Sequence, residues 1–286
     1  MKTTSTPKNS GQYGAAVHYQ PEGAQANFGL YAMRYHDKSP VAIDPLALPQ
    51  YTYLQDRQLY GASVNFPLGN WAIGSELSYR PKDAVPLNPL VLVPGTPCPD
   101  NKCFVEEQKY QLHVTSLLQL SPGEHGAFLK LVGADSGMLL AEAAVVHYPN
   151  LQTSYQGLPV ASGAWFWGAL TANDSLFTSG AVPSVGSKTS WGYNFDFSLT
   201  YDGSLISGWQ VSPEVYYFQA VKGQTPNAMA LFMQGAKSAN FIVTFTQNPA
   251  NWMVGLNYAK FWGGDSVFDQ PLRGRDFFGV YVSRNF

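Results

Sequence analysis

Two cysteines and a scatter of carboxylates and histidines are the residues with chemistry to offer. Cys98 and Cys103 stand in the run CPDNKC, with four residues between them. That spacing permits a small disulfide-closed loop, which suits an oxidising compartment. Two thiolates can also hold a metal, but a tetrahedral site needs two further ligands, and no His or other Cys stands near in sequence. The disulfide is the favoured reading, ahead of a metal site and of free thiols. The five histidines, His18, His36, His113, His125 and His147, show no ligand spacing. No G-x-S-x-G, H-E-x-x-H, P-loop or G-x-G-x-x-G occurs. No catalytic residue, metal or cofactor is therefore expected, and the chain is not read as an enzyme. The remaining ionisable candidates are Glu76, Arg80, His113, Glu142, Asp196 and Glu214. Each falls on the polar side of a segment that alternates with period two. Such a row either lines a channel or forms a plug of mutually neutralising charges.

Composition narrows the setting. Charged residues are 13% of the 286-residue chain, against about 25% in an average soluble domain. Aromatics reach 14%, and 27 Gly and 20 Pro suit many turns. A net charge of −2 with no basic block gives no nucleic-acid signal. Few charges and many aromatics fit a chain whose large outer surface faces lipid. No run of about eighteen apolar residues exists, so no transmembrane helix is expected. The N-terminus, MKTTSTPKNSGQYG, has no apolar core and is not a secretory signal. An outer-membrane chain needs such a signal, so it has been removed or the sequence is the C-terminal piece of a longer chain.

The elements that must position these residues read as strands. Residues 188–201 place Trp191, Tyr193, Phe195, Phe197, Leu199 and Tyr201 on one face and Asn194, Asp196, Ser198 and Thr200 on the other. Residues 54–66 and 71–80, joined by the turn PLGN, repeat the pattern, with aromatics at both ends of an aliphatic middle. That is the girdle pattern of a membrane strand. The final run, DFFGVYVSRNF, puts Phe278, Val280, Val282 and Phe286 on one face and ends on an aromatic. A barrel's last strand has reason to end so, and these four residues are the expected signal for the outer-membrane assembly machinery. Residues 121–135 fit a short strand or a helical turn. The WFW at 165–167 fits an anchor at the membrane surface.

About eleven strands of ten or more residues result, long enough to cross a bilayer at a tilt. Residues 1–10 are expected to be a disordered lead-in, and 11–286 an antiparallel transmembrane β-barrel. Long loops are expected at 38–53, 81–105, 149–187, 221–235 and 263–275, alternating with short turns. Outer-membrane barrels keep long loops outside and short turns in the periplasm. Residues 1–10 then fall outside the cell. The odd count is a second reason to expect the C-terminal part of a larger barrel.

Several segments resemble a known family. They are GQYG at 11–14, FGLYAMRYHDKSPV at 28–41, LVGADSGMLLAE at 131–142, SWGY at 190–193, LISGWQVSPEV at 205–215 and FWGG with GRDFFGVYVSRNF within 261–286. Together they are similar to the proteobacterial outer-membrane family catalogued as domain of unknown function 1302. Arg284 stands where that family's terminal signature carries an aromatic. The resemblance implies a barrel in the outer membrane of a Gram-negative bacterium, moving small, hydrophobic or lipid-like solutes. It supplies no catalytic residues. The expected partners are the lipid bilayer, the assembly machinery and a small-molecule solute, with no nucleic acid. Two alternatives stay open: a soluble or secreted β-sandwich binding protein, and a barrel hydrolase.

Overall fold

Side chains that alternate in polarity along the chain can be sorted only by an extended backbone, and the chain is built almost wholly of strands. A computed structural model describes residues 4–39, 41–44, 50–88, 98, 100, 102–162, 185–226, 232–247, 249, 251–264, 270 and 272–285. In chain order the strands are β1 (Thr4–Ser5), β2 (Tyr13–Tyr19), β3 (Asn27–Tyr35), β4 (Val41–Asp44), β5 (Gln50–Thr52), β6 (Arg57–Leu68), β7 (Trp71–Pro86) and β8 (Phe104–Leu120). After the helix α1 (Pro122–Val132) come β9 (Ser136–His147), β10 (Ser154–Tyr155), β11 (Leu158–Pro159), β12 (Thr189–Ile206), β13 (Trp209–Lys222), β14 (Ala236–Gln247), β15 (Trp252–Gly263) and β16 (Phe277–Arg284). Eleven of them form one antiparallel meander, in the order β16-β15-β14-β13-β12-β9-β8-β7-β6-β3-β2. The all-β, eleven-stranded antiparallel reading holds. The sheet is not closed into a barrel: among the described residues β2 and β16 are its two edges and do not pair with each other.

Register keeps apolar residues opposite apolar residues across the sheet. Val17 faces Leu30, Leu30 faces Ala62, Ala62 faces Leu77, Leu77 faces Leu112, Leu112 faces Val145 and Val145 faces Trp191. Farther on, Phe197 faces Val215, Val215 faces Phe241, Phe241 faces Tyr258 and Tyr258 faces Phe278. One apolar face therefore runs unbroken across all eleven strands. It is open: Leu30 is 63% exposed, Leu77 48% and Val280 59%. Trp71, Trp209 and Trp252 begin their strands on this face just after short connections. Toward the opposite end Tyr60, Tyr79 and Tyr110 stack side by side, with ring centroids 6.4 and 4.7 Å apart.

Connections differ by end. In sequence, strands are linked at one end of the sheet across 20–26, 69–70, 207–208 and 248–251, and at the other across the longer stretches 36–56, 87–103, 148–188, 223–235 and 264–276. Within the expected lead-in, Thr4–Ser5 pairs in parallel with Tyr51–Thr52. β7 runs on to Pro86, into a stretch read as loop, past a register shift between Arg80 and Asp83. The ambiguous stretch 121–135 is α1, at the short-turn end. Pro122 opens it, Glu124 and Lys130 suit its dipole, and Gly133 ends it at φ 71°.

On the polar face, some glycines are fixed by neighbours. Gly255 lies opposite Tyr281, and a β-carbon there would overlap the tyrosine ring. Tyr31 likewise lies over Gly29, with Gly61 beside it. Gly255→Val is expected to destabilise the β15–β16 pair by about 1–3 kcal/mol, the usual cost of overpacking. Urea titration of the refolded protein reads it, and Tyr281→Ala in the same chain should recover most of the loss. Equal midpoints for wild type and Gly255→Val would remove the steric account.

Candidate functional site

The face opposite the apolar one gathers the ionisable residues. Glu76 faces His113 across β7 and β8, Glu142 faces Thr115 and Asn194, and Ser198 faces Glu214. Asp196 faces Leu140 and Tyr216 on the same side. Arg80 faces Lys109 nearer the long-loop end. All six candidates thus share one face, but they do not form one cluster. His113 and Glu142 do meet: the imidazole Nδ1–H donates to the Glu142 carboxylate over 2.7 Å. Gln111 approaches the ring's other nitrogen. Beside this pair is a hollow of about 300 Å³ lined by Tyr31, Ser63, Asn65, Glu76, His113 and Thr115. The Tyr31 and Ser63 hydroxyls hydrogen-bond at 2.9 Å. Gly74 keeps the floor low, since a β-carbon there would press on Thr115 and Asn65.

A second polar group sits at the long-loop end. The Arg57 side chain is 4% exposed and lies between Asp37, 3.4 Å from its Nε, and Glu106, which its Nη1 touches. Nearby, Lys109 and Asp83 pair at 3.5 Å, and the Tyr148 hydroxyl donates to Asp83 over 2.7 Å. Burial holds the Asp37 carboxyl above the usual carboxylate range even with Arg57 beside it. The Tyr155 hydroxyl donates to Glu107, and burial followed by that bond pushes it up to about 12. Sequence reasoning missed Asp37, Arg57, Asp83, Glu106 and Lys109, because four of the five fall at strand ends or in stretches read as loop. The signal was the charge density of RPKD at 80–83 and EEQK at 106–109 in a chain with few charges.

Above the polar face, described residues of the long connections pack inward. Tyr148, Leu151, Leu158, Val160, Phe232 and Met233 share a buried cluster with Ala144, Val146 and Ala220, which belong to the polar side of β9 and β13. Phe232 stacks on Phe218 at 6.4 Å and fills the space over Gly192. Cys98 and Cys103 are joined by a disulfide inside this cluster.

A family model described as "Protein of unknown function (DUF1302)" matches residues 2–286. The chain belongs to that family. No curated protein and no solved structure matches it. In this DUF1302 chain Phe278, Val280 and Val282 lie on the apolar face of β16, at least 59% exposed each. Phe286 and the WFW at 165–167 lie outside the described residues.

Chemically, the polar face offers acceptors and hydroxyls, with four acids against Arg80 and His113 in the predicted row. The Arg57 group is a clasp that holds the start of β6 to β8. Arg57→Ala is expected to cost about 2 kcal/mol, since it leaves partly buried carboxylates without their cation. An acid raised by folding favours the fold when protonated; that benefit is whole below its unfolded value and is lost as pH rises through the folded one. Removing Arg57 should raise Asp37 further. The variant's deficit in urea midpoint should therefore shrink on acidification and grow toward neutrality. A deficit that does not change with pH would mean that Asp37 is not the linked group.

Proposed function

We propose that this DUF1302 chain forms the wall of an outer-membrane β-barrel of a Gram-negative bacterium. Its polar face lines a passage for small solutes, hydrophobic or lipid-like ones included. The observation that carries the reading is the unbroken, exposed apolar face across eleven strands, backed by a polar one. In water such a face is far larger than the apolar patches soluble proteins leave open. Against hydrocarbon it is at rest, and the strands' backbone groups are satisfied by their neighbours. Three further features support the reading. Tryptophans and tyrosines sit toward the two ends of the apolar face, where an interface would lie. Long and short connections are segregated, as in barrels with external loops and periplasmic turns. The disulfide at the long-loop end suits an oxidising exterior. On this reading Phe278, Val280 and Val282 belong to the strand that the assembly machinery engages.

The inner row is acid-rich, with Glu76, Glu142, Asp196 and Glu214 against Arg80 and His113. Acidic linings favour cations. The buried cluster above it, with Tyr148, Leu158 and Phe232, narrows the external mouth. Reconstitution into a planar bilayer tests the function. Discrete conductance with a preference for cations is expected. Changing Glu142 and Glu214 together to Gln should lower the cation-to-anion permeability ratio several-fold. A membrane that stays sealed at every voltage would end the open-pore reading.

A further inference from the structure

Helix α1 is placed oddly for a turn between two strands. It does not extend the sheet, and it does not fill the polar side. Leu129 of the helix and Ala134 beyond it are buried against Leu120, with Leu118, Phe197, Leu199 and Tyr201 packed around them. Those sheet residues all belong to the apolar face, as the pairing of Leu118 with Leu139 and of Leu139 with Phe197 shows. The Tyr201 hydroxyl donates to the Val132 carbonyl over 3.1 Å. Asp135 fastens the exit: its N–H donates to Thr200 and its carboxylate accepts from the Asp202 N–H. The helix is thus clamped onto the outer side of the sheet, at the short-turn end.

Past a break in helical geometry at His125, the side of α1 turned away from the sheet carries Ala127 and Leu131; the exposed Glu124 stands in the first turn, before the break. At 100° per residue, Leu131 lies about 200° round the helix from the buried Leu129, and Ala127 about 200° round in the other sense. Leu131 is 84% exposed and Phe128 41%. A helix lying on a sheet in water would present polar residues there. Lys130 is exposed on the flank, where its stem can lie along apolar surface while the ammonium reaches polar headgroups. The strand ends beside the turns at the same end are also apolar, with Leu68 63% and Leu205 60% exposed. The outward side of α1 therefore continues the apolar face at the level where a periplasmic interface would fall.

We infer that α1 is an interfacial helix that lies in the inner leaflet of the membrane beside the barrel. Its Phe128 and Leu131 sit among acyl chains, and Lys130 meets the lipid phosphates. The occupant of this surface is lipid, and the inference rests on the barrel reading above. Its effect would be to fix how deep the barrel sits and to thicken its wall between β8 and β9.

Spin labels in the full chain reconstituted into phosphatidylethanolamine–phosphatidylglycerol vesicles test it. The described cysteines are disulfide-bonded, so single labels can be placed at Leu131→Cys, Phe128→Cys, Leu112→Cys and Ser63→Cys. Accessibility to oxygen, which partitions into lipid, is compared with accessibility to a water-soluble nickel complex. The oxygen-to-nickel ratio at 131 and 128 should match that at 112 and exceed that at 63 several-fold. A lipid-like ratio at 112 with a water-like ratio at both 131 and 128 overturns the helix inference and leaves the barrel standing. In that outcome the helix faces water or a soluble partner. A water-like ratio at 112 overturns the barrel reading, and the helix inference with it. Two helix sites are used so that one poorly folded variant does not decide the matter, and far-ultraviolet spectra of each variant must keep the β signature.

Discussion

Face conservation across paired strands is the constraint on which the structure depends. A strand has two sides, and a slip of one residue exchanges them. In this sheet no such exchange occurs from β2 to β16, although the chain reverses direction ten times between them. Where register shifts, as between Arg80 and Asp83 in β7, the disturbance lies at the long-loop end. The shift in β12 after Asp202 lies at the short-turn end. The middle of every strand is left regular. Bulges confined to the rims let the loops and the helix take their own geometry without moving the apolar residues off their side.

The two ends are built by different means. At the long-loop end, side chains do the joining: the Arg57 clasp, the Lys109–Asp83–Tyr148 group and an inward-packed apolar cluster held near the disulfide. His36 belongs to the same layer. Its Nδ1 accepts from the Asp56 N–H and its Nε2–H donates to the Ser10 carbonyl, which ties the approach to β2 to the end of β3 and the start of β6. At the short-turn end most connections are too short to carry such groups, and α1 is the exception. Side-chain chemistry outside the strands is therefore concentrated at the long-loop end, and the short-turn end is the smoother rim.

Much of the fold was legible in the sequence because its information is local. Trp191 to Tyr201 alternate so cleanly that the strand and its faces can be read from eleven residues. The same holds for the hairpin around PLGN. What was not legible depends on partners distant in sequence. Arg57 looks like an ordinary strand start until Asp37 and Glu106 are brought to it. Tyr31 and Tyr281 look like misplaced aromatics on a polar face until Gly29 and Gly255 are seen beneath them. The helix was half legible: residues 121–135 broke the period of two, but nothing local said which face it would cover. The six polar candidates share a face, as alternation required, while the contact between His113 and Glu142 depends on how far β8 and β9 are offset.

The edges set a condition on closure. β2 leads into a short turn, and β16 follows a long connection. Both therefore run from the long-loop end toward the short-turn end. Brought together directly, they would pair in parallel, whereas every pairing within the large sheet is antiparallel. A second copy standing in the same membrane with the same orientation offers strands of the same sense, so it meets the same obstacle. An antiparallel closure takes an odd number of additional strands between β16 and β2. Unpaired edges cannot be left facing hydrocarbon, since each free N–H and C=O there costs several kcal/mol in order of magnitude. On the barrel reading proposed above, closure takes either a parallel seam or an odd set of strands. The exposed apolar side chains of β2 and β16, Val17 and Val280 among them, carry the apolar face out to both edges of the sheet.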